Sequence, residues 1–177
     1  SSYGRWNQLH LKDGIVHAQN FIGAPVEKLW VYHFDIAKNN PAKIAEDGYE
    51  FTVELPDGTT TDWKIKVRGE NSPKVRNFKR DVFNQGQIRR NIAKKKGKGD
   101  DEDLSIEEIE DFGVRNAAVR IISWSGLTEE GAEVPSTSDN ITRILKDYAF
   151  VRDLVVEESS RAYNFRHNLN KSDNSVL

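Results

Sequence analysis

Two stretches of strict alternation stand out along the chain. Tyr49, Phe51, Val53 and Leu55 are interleaved with Glu50, Thr52 and Glu54, and Trp63, Ile65 and Val67 with Lys64 and Lys66. Alternate side chains of a strand point to opposite faces, so each run predicts a half-buried strand. Pro56-Asp57-Gly58 is turn chemistry, and Thr59–Asp62 lengthens the expected hairpin loop beyond the tightest class. Glu50 and Glu54 face Lys64 and Lys66 in charge. A lone hairpin is marginal in water, so its apolar face must cover helices or join strands from residues 1–33.

Elsewhere the period is helical. Ser72-Pro73 supplies an N-cap candidate and a first-turn proline, and Val75, Phe78, Val82, Phe83, Ile88 and Ile92 recur behind it, which predicts a helix near 73–93. Gly86 weakens its middle. Ser105 and Glu108 form a capping-box pattern for a second helix, expected to run 105–125 through Ile106, Ile109, Phe112, Ile121 and Trp124 until Gly126 breaks it. A polar loop with Gly131 and Pro135 follows. Thr137, Ser138 and Asp139 are cap candidates for a third helix, 138–148, carrying Ile141, Ile144 and Leu145. Val151, Leu154, Val155, Ala162 and Phe165 place a fourth at 150–166. The predicted fold is therefore α+β, a small antiparallel sheet packed on a mostly helical C-terminal part, with Trp63, Trp124, Leu145, Leu154 and Phe165 as core.

The chain divides by the clarity of this pattern. Residues 1–33 are scattered, with a turn signal at Asp13-Gly14 and a β-prone run Leu29-Trp30-Val31-Tyr32, and are treated as an extension of unclear structure. Residues 34–71 hold the hairpin and 72–166 the helices. Within the latter, 94–103 joins a lysine run to Asp100–Asp103, cannot bury anything, and is expected to be a mobile linker. Residues 167–177 lose periodicity and are expected to fray.

Composition narrows the function classes. Of 177 residues 31% are charged, a polar average, but the 10% aromatic content argues against full disorder, and the net charge of −2 gives no global pull toward nucleic acid or membrane. There is no cysteine, so no disulfide framework and no thiol metal site. No apolar run approaches a membrane span and no leader pattern opens the chain, so a soluble intracellular protein is expected. His10, His17 and His33 lack accompanying carboxylates at ligand spacing, and Asp57 with Asp62 supplies too few oxygens for a calcium loop. Glycine-rich phosphate loop, zinc-helix and nucleophile-elbow patterns are absent from the sequence, and His167 near a fraying end is a poor base for Ser123 or Ser125. No enzyme and no cofactor is expected.

The basic residues between 74 and 98 could track phosphates, but an acidic block follows directly and no aromatic side chains interleave as stacking platforms. A solvated, charge-balanced helix face is the simpler account, so nucleic acid is not the expected partner. An interaction protein remains. Its partner-binding face is expected on Val75, Phe78, Val82, Phe83 and Ile88, with the helices of 138–165 completing the groove, because amphipathic helices around a charged hinge can open a groove for a partner helix.

Residues 117–165 carry a resemblance. In order they present the pair Trp124 and Gly126, a turn around Gly131 with Val134-Pro135, a capped start ending in Asn140, a helix centred on Leu145, and a last helix closing on Arg161-Ala162 and Phe165. With the upstream strand pair and Ser72-Pro73, residues 34–165 resemble the tail assembly chaperones of long-tailed bacteriophages. The resemblance implies a chaperone in the host cell cytoplasm that binds the tape-measure protein, keeps it soluble and helps recruit tail-tube subunits, with self-association a further expectation. The alternatives are a tail-completion or connector component of the virion, and a nucleic-acid-binding adaptor using the 74–98 patch.

Overall fold

The computed structural model describes the backbone of 8–12, 15–19 and 31–32, and residues 33–97 and 104–166. The expected tail 167–177 and residues 98–103 of the expected linker lie outside the described residues. The chain is α+β and separates into two units, Ser1–Asn40 and Pro41–Leu177.

In the first unit, β1 (Gln8–Lys12), β2 (Ile15–Gln19) and β3 (Val31–Tyr32) form a three-stranded antiparallel sheet in the order β1-β2-β3. Strands therefore form on both sides of the Asp13-Gly14 signal, with Lys12 opposite Ile15. Beyond β3, Asp35 closes a turn in which its Oδ1 accepts from the Ala37 N–H at 2.9 Å.

The second unit begins with α1 (Pro41–Asp47), placed where proline can occupy a first helical position. The predicted hairpin follows as β4 (Tyr49–Glu54) and β5 (Thr60–Val67), with Glu50 opposite Lys66 and Phe51 opposite Ile65. Its loop is shorter than expected. Leu55 N–H donates to the Thr59 carbonyl at 2.9 Å, so Thr60–Asp62 belong to the strand. Asp57 Oδ1 takes the Thr59 N–H, also at 2.9 Å, and hydrogen bonding to Thr59, from its side chain first and its backbone second, holds the Asp57 carboxyl below its usual range. Glu54 consequently sits opposite Thr60 and not opposite a lysine.

Then come α2 (Pro73–Lys95), α3 (Ile106–Ala118), β6 (Ile121–Ser125), β7 (Thr128–Glu129), β8 (Ala132–Glu133), α4 (Ser138–Asp147), α5 (Ala149–Ser160) and a 3-10 turn (Ala162–Phe165). Two of the predicted caps form as expected. Ser105 Oγ accepts from Glu108 N–H at 3.1 Å, and Thr137, among its three candidates, accepts from Asn140 N–H at 3.3 Å.

The principal correction concerns 119–125. The expected helix 105–125 ends at Ala118, and Ile121–Ser125 becomes the third strand of the sheet, antiparallel to β5, with Ile65 opposite Trp124. Val119, Ile121, Ile122 and Trp124 are β-prone, and β5 would otherwise expose an unpaired edge. The region 72–166 is thus not purely helical. Gly126 does not cap a helix either. It turns the chain out of β6 at φ +80°, and a Cβ there would lie 2.1 Å from the Asp62 carbonyl oxygen. The polar loop beyond contains the β7–β8 hairpin, turned by Glu130 (φ 50°) and Gly131 (φ 82°), the positive-φ pair that a two-residue type I′ turn needs.

One core joins the sheet to α3, α4 and α5. Val53, Ile65, Val67, Ala117, Leu145, Val151 and Val155 are sealed within it. Trp63 and Trp124 meet edge to face at 5.6 Å between ring centroids, and Trp124 Nε1 donates to the Val134 carbonyl at 2.8 Å. Leu154 and Phe165 are half-buried at its margin. Phe165 packs over Gly69 and edge-on to Tyr49. The last helix is shorter than expected, ending at Ser160 before the 3-10 turn.

Trp124→Ala should lower unfolding stability by about 3–5 kcal/mol in urea titrations, because a buried ring and its cavity are both lost. Trp124→Phe should retain most of the packing and lose about 1 kcal/mol through the missing bond to Val134.

Candidate partner-binding surface

At 3.6 residues per turn, only some of the apolar residues of α2 share a face. Val75, Phe78 and Val82 do; Phe83 is rotated about 100° from Val82, and Ile88 lies further round still. Burial follows that geometry. Val75 is fully buried and cannot line an open groove, Phe78 and Val82 are half-buried, and Phe83 and Ile88 are 61% and 57% exposed. The expected five-residue face is therefore three separate environments, and only Val82 of the five lines a cleft.

That cleft, about 470 Å³, lies between α2 and α3. Val82, Gln85, Gly86 and Arg89 form its α2 side, and Glu107, Glu108, Asp111, Phe112 and Arg115 its α3 side, with Leu104 and Ser105 at one end. The helices meet beside it through Phe78 and Phe112, stacked at 6.0 Å between centroids. The Arg115 guanidinium sits 5.6 Å from the Phe78 ring centroid, a cation–π contact. Arg89 bonds Glu108 at 2.8 Å across the gap, and Arg115 lies 4.0 Å from Asp111. Of the cleft's lining Leu104 and Phe112 are exposed, and Phe83, Ile88, Ile92, Ile106 and Ile109 are exposed elsewhere on the two helices.

The base of α2 is held by charge. Ser72 has cap-like backbone angles, but its hydroxyl is buried and donates to Glu46 instead of capping the helix. Glu70 accepts from Lys79 of α2, from Arg120 and, at 2.8 Å, from the Ser160 hydroxyl. Arg120 is 3% exposed. Its guanidinium also donates to Ser159 Oγ at 3.0 Å, and to the Asn116 carbonyl at 3.1 Å and side-chain oxygen at 3.2 Å. Arg68 donates to the carbonyls of Val119 at 3.0 Å and Ile121 at 2.8 Å, and Ser159 returns a bond to the Arg68 carbonyl at 2.6 Å. Burial raises the Glu70 pKa, but the bonds from Lys79, Arg120 and Ser160 outweigh it and hold the carboxyl down at about 2.

Sequence spacing did not reveal this network, since its members lie up to 91 residues apart. Nor did it reveal the α3 wall of the cleft: no residue of the helices of 138–165, expected to complete the groove, lines it. A hydrophobic pattern along one helix carries no information about its neighbour. His10 and His17 stand opposite each other in the β1–β2 register. Among the described residues no group of three or more His, Asp or Glu could hold a metal, and no helix is long and apolar enough to cross a membrane. No protein-family model, curated protein or solved structure matches the chain.

Two outcomes test this surface. A carboxyl with depressed folded pKa contributes stability that is present above its unfolded value of 4.5 and lost as pH falls toward about 2. Glu70→Gln should therefore be less stable than the parent at pH 7, with the difference shrinking as pH falls from 4.5 toward 2 in denaturant titrations. Separately, a Cβ at Gly86 would meet nothing closer than the Arg90 guanidinium at 3.9 Å, so Gly86→Ala should gain up to about 1 kcal/mol of helix stability.

Proposed function

We propose that this chain binds an amphipathic helical segment of a partner protein at the α2–α3 cleft, and that it does no chemistry. The observation that carries the reading is a cleft lined by Val82, Leu104 and Phe112 with charged rims, on two helices that carry further exposed apolar side chains. Partner-helix grooves use this arrangement, apolar anchors fixing affinity and rim charges fixing register. The partner's identity rests on the resemblance of residues 34–165 to tail assembly chaperones. We therefore propose the tape-measure protein, held soluble in the host cell cytoplasm while tail-tube subunits are recruited.

The motif residues behind that resemblance form one corner of the fold. Trp124 bonds Val134, Val134 N–H bonds the Leu127 carbonyl at 2.8 Å, and Asn140 Nδ2 bonds the Pro135 carbonyl at 3.0 Å. This supports reading them as a unit and adds nothing about the partner. A specific observation favours a nucleic-acid adaptor as the second reading. Helix α2 carries Lys74, Arg76, Lys79, Arg80, Arg89, Arg90, Lys94 and Lys95 against the single acid Asp81.

Co-expression with the tape-measure protein of the same genome should move that protein from the pellet into the soluble fraction. Phe112→Asp, checked for folding by circular dichroism, should abolish the rescue. The complex should persist at moderately high salt because apolar burial holds it, whereas phosphate contacts weaken steeply with salt. Tight, salt-sensitive DNA binding without any rescue would replace the chaperone reading by the adaptor.

A further inference from the structure

Gly86 is an unusual residue to meet in the middle of a helix 23 residues long. Mid-helix glycine is unfavourable relative to alanine, so a fold that has one commonly needs it for backbone conformation or close packing. Neither applies here. Its backbone is helical and not left-handed, and an added Cβ would find only ordinary van der Waals distance to a flexible arginine tip. What the missing side chain does is leave the α2 wall of the cleft open beside Val82 and opposite Phe112.

The charges around that opening are unequal. Arg89 is committed to Glu108 at 2.8 Å, and Arg115 to Asp111 and the face of Phe78. The third carboxylate of the lining, Glu107, has no cationic partner among the described residues. The cleft thus offers the apolar side chains of Val82, Leu104 and Phe112, a gap at Gly86 and one uncommitted negative charge on its α3 wall.

We infer that the cleft receives, from a partner helix, one large apolar side chain seated over Gly86, together with a Lys or Arg one turn away on the same face that reaches Glu107. Residues four apart on a helix lie one above the other, so a single helical segment presents both groups at once. The apolar side chain fills space that the fold leaves empty at a cost in helix stability. The basic residue pairs the charge that the chain leaves unmatched, and it sets the direction in which the helix lies. This inference rests on the proposed docking of a partner helix and specifies the chemistry the helix must carry.

The test uses the full chain and fluorescein-labelled synthetic amphipathic helices, read by anisotropy. The first peptide carries Phe as anchor with Lys four residues on; the second has Glu in place of that Lys; the third has Ser in place of the Phe. The first should bind, the second about tenfold more weakly, and the third not measurably. Gly86→Leu, which fills the gap with a strong helix former, should lose the first peptide while melting no lower than the parent. Gly86→Ala should keep it, and Glu107→Lys should reverse the preference between the first two. Equal binding of the first two peptides to the parent, or undiminished binding by Gly86→Leu, would overturn the inference. Tape-measure co-expression separates it from the reading beneath it. If the parent rescues solubility and Gly86→Leu rescues equally, this site is wrong and the chaperone stands. If the parent gives no rescue yet discriminates the peptides as stated, the chaperone falls and the site stands.

Discussion

The pairing of β5 with β6 is the constraint on which the architecture depends. A two-stranded hairpin would leave β5 with an unpaired edge and a single apolar face too small to seal. Recruiting Ile121–Ser125 closes that edge and brings Trp124 against Trp63 in the core. It also dictates that everything between Val67 and Ile121 is one long excursion from the sheet. Helix α3 returns along that excursion and buries Val114 and Ala117 in the core. Helix α2 goes out along it. At 23 residues it is roughly 35 Å long, about the width of a small domain, and between Val75 and Ala93 none of its side chains is fully buried. The exposed apolar surface on α2 and α3 is a consequence of sheet closure.

A long excursion needs an anchor where it leaves and where it rejoins, and Arg120 supplies both. It stands immediately before β6, buried, and reaches Glu70, the residue three positions before α2 begins. An uncompensated guanidinium at that depth would be strongly destabilising, so its value lies in being fully met: by Glu70, by Asn116 of α3 and by Ser159 of α5. Glu70 in turn takes Lys79, which fixes the first turns of α2 to the same node. One ionic cluster therefore ties both ends of the excursion to the last helix. The pairs further along α2, such as Arg89 with Glu108, are exposed and contribute little to stability.

Local signals were legible in the sequence wherever one residue decides a local conformation. Strand alternation at 49–55 and 63–67, the first-turn proline of α2, and the caps at Ser105 and Thr137 all act within a few residues, and each sits in the element it predicted. Trp63, Trp124 and Leu145 were legible as core because large apolar residues at consistent period have few alternatives. Residues 119–125 were not, because Ala117, Ile121 and Trp124 fit a helical spacing as well as a strand, and the open edge that arbitrates lies more than fifty residues upstream. Grouping Val75 with Phe83 and Ile88 failed for a different reason. Apolar identity was counted without the angle at which each side chain leaves the helix.

Two glycines make the difference between structural and surplus openness concrete. At Gly126 the chain needs φ +80° and backbone contact closer than any side chain permits, so the fold itself accounts for glycine. At Gly86 it needs neither, and alanine would fit with a gain in helix stability. Local consistency is the norm in sequences that specify one fold, and departures from it concentrate where a chain does something besides fold. Gly86 is such a departure, and it lies in the wall of the cleft whose rim leaves Glu107 unmatched. A stability deficit and a charge deficit therefore coincide at one place, on the excursion that sheet closure creates.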